Sequence, residues 1–65
     1  MKDEIKEALI KKYEGEKATA HTNIRIYLLN PTGIGDHSDV MAMIDEQIGK
    51  AALADEKLNY IKGVR

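Results

Sequence analysis

The residues of this chain best placed to do chemistry fall in one stretch, "NPTGIGDHSD", residues 30–39. Gly33-x-Gly35-x-x-Ser38 half-matches the glycine fingerprint of dinucleotide-binding loops, in which backbone N–H groups approach an anion and the next helix start adds its dipole. A small ligand- or phosphate-binding module using Gly33 to Ser38 is therefore one function class on offer. The surroundings argue against it. The fingerprint belongs to a strand–loop–helix unit of more than about 30 residues set in a larger sheet, and here a strand formed by "IRIYLL" would have no sheet to join. Asp36 and Asp39 also place negative charge where a phosphate would sit. The same residues make an ordinary interhelix bend: Asn30 is pushed out of the α region by the proline that follows it, Pro31 blocks continuation, and the glycines supply positive φ. Ile34 would plug the open end of the hairpin.

The other reactive groups are dispersed. His37 lies between Asp36 and Asp39 but has no second ligand cluster, and His21 sits among Thr19, Thr22 and Asn23 as a polar-face residue. The pairs Asp3/Glu4, Glu14/Glu16, Asp45/Glu46 and Asp55/Glu56 read as solvated faces. No Glu-x-x-His motif of the kind that builds di-iron bundles occurs. There is no cysteine, and Ser38 beside His37 is adjacency in sequence, not a catalytic pair. The expectation is a protein that is not an enzyme, with no catalytic residue, metal site or cofactor.

Two long helices must carry these groups. Val40, Ile44, Gln47/Ile48, Ala51, Ala54, Leu58 and Ile61 are spaced as one helical face. Asp36 or Ser38 is expected to cap that helix, with Asp39 in its first turn and Gly63 ending it in a left-handed conformation. In the first arm, Gly15, Thr19, Thr22 and Asn23 weaken helix propensity, and 22–29 is rich in strand-favouring residues. Leu9, Tyr13, Glu16, Ala20, Ile24 and Tyr27 nevertheless continue one stripe, and a lone strand is unstable. The spacing predicts an all-α, antiparallel hairpin with helices over 3–29 and 38–62, forming a single domain over 1–65. Folding about residue 33 would pair positions whose numbers add to about 67. Gly15, Ala18 and Ala20 would then oppose Gly49, Ala51 and Ala52, with the glycines allowing close backbone approach.

Size bounds the rest. A chain of about 60 residues buries only about 60% of its unfolded surface, and small scaffolds add disulfides, metals or partner chains. With 65 residues, no cysteine and two histidines, self-association is the remaining route. Ten Lys and Arg balance 11 Asp and Glu, for a net charge of −1 and a pI near 6.1, which disfavours nucleic acid. The longest apolar run, "IYLL", is far short of the roughly 20 residues of a membrane span. An N-terminus lacking an apolar segment predicts no signal peptide. A soluble, cytoplasmic protein is expected.

Apolar residues off the main stripe name the expected interaction surface: Ile10, Ile26, Leu28, Leu29, Met41, Met43 and Leu53. They cannot all face one helix, and contiguous exposed apolar surface marks association. A second hairpin completing a dimeric four-helix bundle is the favoured occupant, and an unknown protein partner the alternative. The run "LLNPTGIGDHSDVMAMIDEQIGKAALADEKLNYI" also resembles short uncharacterised proteins of tailed phages of marine bacteria and of marine metagenomes, which carry an N-P-x-G-I-G-[DE]-H bend before an acidic, alanine-bearing helix. The resemblance spans about residues 28–61. It implies a small host- or virion-associated accessory role and assigns no site residues. The leading function is a small non-enzymatic structural or accessory protein working through protein–protein contacts.

Overall fold

Helix-forming runs rich in Glu, Lys, Ala and Leu occupy both arms, and the computed structural model, which describes residues 2–30 and 39–65, turns each into one continuous helix. Helix α1 spans Asp3–Leu29 and α2 spans Val40–Lys62. Among the described residues there is no strand, so 22–29 follows the helical stripe despite its strand-favouring residues. Asp3 and Glu4 place negative charge in the first turn of α1, where the helix dipole favours it. Its far end stops as the following proline requires: Asn30 leaves the α region at φ −143°, ψ 62°, and its backbone N–H donates to the Ile26 carbonyl at 3.0 Å.

The ends of α2 correct two expectations. The cap is Asp39, whose carboxylate accepts from the Ala42 backbone N–H at 3.2 Å, so the helix begins at Val40 and not at 38. Asp39 is thus the capping residue and not part of the first turn. Gly63 ends the helix at φ −83°, ψ −9° and is not left-handed. Its N–H reaches back to the Tyr60 carbonyl at 3.1 Å, so a tight last turn satisfies the helix end.

The helices lie antiparallel in a rod of 46 × 14 × 14 Å. The radius of gyration is 14.8 Å, against about 11 Å for a compact domain of this length. Lys6 donates to the Val64 carbonyl, Lys17 bonds Asp55 at 2.7 Å, and Asn23 donates to Gln47 at 3.2 Å. Their numbers add to 70 or 72, so the helices are displaced by about three positions from the register expected for a fold at residue 33. The reason is the boundaries: the helices end at Leu29 and restart at Val40, and antiparallel neighbours are centred between those two residues.

The predicted stripe of α2 is the buried one. Ala51, Ala54, Leu58 and Ile61 are buried with Gln47, while Val40 and Ile44 are half-buried. Ile48, the alternative to Gln47, is exposed. On α1 only Ala20 is buried, flanked by half-buried Leu9, Tyr13, Ile24 and Tyr27; Glu16 is exposed. The glycine reading fails. A Cβ added at Gly15 or Gly49 would meet nothing within 4 Å, and Ala18 and Ala52 are exposed as well. Alanines 20, 51 and 54, not glycines, line the seam.

Candidate interaction surface

The hairpin buries little and leaves much apolar surface open. Among the described residues no large side chain is fully buried. The six buried residues among those described lie at 20 on α1 and at 47 or beyond on α2, so nothing in 21–30 or 39–46 is buried. In the half nearer the chain ends, Leu58 and Ile61 are each about 5% exposed. Lys57 Nζ sits 5.5 Å from the Tyr13 ring centroid, and Lys17 pairs with Asp55 on the surface. The Lys17 ammonium holds the Asp55 carboxyl below its ordinary value of 3.8, by its hydrogen bond first and its charge second. Toward the bend, Leu29 and Met41 are 80% and 84% exposed, and the half-buried Asn23–Gln47 pair is the one polar tie the helices share in that half among the described residues.

Of the seven expected interaction residues, Ile26, Leu28, Leu29, Met41 and Leu53 are exposed, whereas Ile10 and Met43 are half-buried. They do not form one patch. Ile10 and Leu28 stand five helical turns apart on one side of α1, while Ile26 and Leu29 lie on another. Leu53 lines a groove of about 570 Å³ between the helices, together with Glu16, Thr19, Asn23, Lys50 and Lys57. Exposed Ile5, Ile48 and Tyr60 were not among the expected surface residues; Ile48 stood as the alternative to Gln47 on the inner face. The signal that finds them is the side of the helix each occupies once the buried face is known.

The loop residues Gly33, Gly35, Asp36, His37 and Ser38 lie outside the described residues, and the bend and the phosphate cradle with them. His21 is exposed, close to Lys17 and Asp55. Among the described residues no three His, Asp or Glu side chains gather as a metal site would require, and no helix is long and apolar enough to cross a membrane. No protein-family model, no curated protein and no solved structure matches the chain.

Proposed function

We propose that this chain is a small, non-enzymatic structural or accessory protein that works through protein–protein contacts, first of all with a second copy of itself, as a dimeric four-helix bundle. The observation that carries the reading is surface area. A compact chain of 7.3 kDa exposes about 4,200 Å²; this one exposes 5010 Å². The excess, roughly 800 Å², is about what each partner contributes to a stable interface of standard size. Exposed apolar side chains such as Ile5, Ile26 and Leu29 are what a second hairpin would cover. A cytoplasmic setting suits a chain without cysteine, and the resemblance of residues 28–61 to phage proteins suits a host- or virion-associated role.

Solution mass across a dilution series, with helicity recorded on the same samples, tests this. The expected result is a dimer at high concentration that loses helix as it dissociates, with a melting temperature that rises with concentration. A folded monomer at every concentration would overturn the self-association.

A further inference from the structure

Helix α1 carries a second seam, beside the one it presents to α2, with Gly15 and Thr19 at the edge of the groove between the helices. Ile5, Lys12, Thr19 and Ile26 repeat every seven residues, and Ala8, Gly15, Thr22 and Leu29 do the same three positions further on. This is the a/d spacing of a helix that packs lengthwise on another, because a seven-residue repeat keeps to one face of a supercoiled pair, and Ile5, Ala8, Ile26 and Leu29 make its two ends apolar. All eight positions are exposed. Only Lys12 among them is charged, whereas seven of the other ten exposed positions of α1 are charged: Asp3, Glu4, Glu7, Lys11, Glu14, Glu16 and Arg25. A solvated helix face has no reason to exclude charge. Nor does the hairpin itself require Gly15, since a Cβ there would meet nothing within 4 Å, although a helical glycine costs about 1 kcal/mol relative to alanine.

We infer that this face of α1 packs antiparallel against the same face of α1 in a second copy, about a twofold axis near residue 17. The inference rests on the self-association proposed above and specifies its geometry. Two features fix the occupant and the direction. The uncovered area is what one half of a dimer supplies, and the seam is apolar at both ends, with Gly15 and Thr19 at its middle. Large Ile5 would meet Leu29 of the partner subunit, and Ala8 would meet Ile26 of the partner subunit. The small pair Gly15 and Thr19 meets its own symmetry copy at the centre, where the backbones can approach closely. A parallel pairing in register would instead set Lys12 against Lys12 of the partner subunit, a like-charge contact that destabilises. Antiparallel pairing sets it against Thr22 of the partner subunit.

The native chain has no cysteine, so single cysteines report the geometry. Thr19→Cys should cross-link through a short bis-maleimide into a covalent dimer. Ile5→Cys should not, because antiparallel copies hold residue 5 about 36 Å from its mate at 1.5 Å per residue. Thr19→Arg should weaken dimerisation at least tenfold with monomer helicity unchanged, while His21→Arg, on another side of α1, leaves dimerisation as it was. Cross-linking of both cysteine variants would overturn the antiparallel arrangement. A dimer indifferent to Thr19→Arg would overturn this seam while sparing the self-association. A wild-type chain that never dimerises would overturn both.

Discussion

The two halves of the rod are built from the same kind of helix yet are finished differently. Toward the chain ends, Leu58 and Ile61 are buried and three polar contacts cross between the helices: Lys6 to Val64, Lys17 to Asp55 and Lys57 over Tyr13. Toward the bend, Tyr27, Val40, Met43 and Ile44 are only half-buried, and Leu29 and Met41 stand in solvent. The lesson is that helix formation and core formation are separate achievements. Both halves hold their backbone hydrogen bonds, but only one has neighbours enough to exclude water from its apolar side chains. In a pair of helices each side chain can be covered from one direction only, so a complete core needs a third and fourth helix.

The largest effect that should sharpen this contrast is at Leu58. Leu58→Ala removes a buried side chain and should cost about 2–5 kcal/mol, read from denaturant midpoints. Ile44→Ala should cost distinctly less at low protein concentration, because Ile44 is covered only in part; equal losses would break the comparison. Next comes Gly49→Ala, which should add about 1 kcal/mol, since the new methyl enters open space on a helix that gains propensity. For a domain of this size that raises the melting temperature by about 4–8 °C. An unchanged or lower value would mean that another chain closes on Gly49. Smaller again is the Asn23–Gln47 bond. Gln47→Ala should cost about 0.5–1.5 kcal/mol, because Asn23 is only half-buried and recovers water as a partner. The smallest effect is electrostatic. Asp55 has a lower pKa folded than unfolded, so its pairing with Lys17 favours the fold above pH 3.8 and is lost as pH falls through the folded value. Melting curves of wild type and Asp55→Asn should therefore differ slightly at neutral pH and converge in acid. High salt should erase the difference, since the pair is exposed.

Much of the fold was legible in the sequence because it lay in periodicity. Val40 to Ile61 alternates apolar and polar residues at helical spacing, and those residues are the ones that turn inward. The register was not legible. It depends on where each helix stops, and a difference of two residues at the start of α2, Val40 in place of 38, slides every pair. Gly15 and Gly49 misled for a related reason: composition shows that a helix has a glycine, but only the buried face shows whether it looks inward. The interaction surface was read from apolarity alone, which gathered Ile10, Leu28 and Ile26 from different sides of α1. The charge-poor seven-residue repeat through Gly15 and Thr19 was present in the letters throughout. It becomes visible only after the residues committed to α2 are set aside.

The contact between Lys6 and the Val64 carbonyl brings the two ends of the chain together at one pole of the rod. Anything attached at either end would sit at that pole, some 46 Å from the other. Tension applied between the ends would therefore act across the helices and not along them. The hairpin would open like a zipper, with Lys6–Val64 yielding first, then Lys57–Tyr13, Lys17–Asp55 and Asn23–Gln47 in turn. Each step would load one contact at a time, so the protein should part at low force however stable it is to heat.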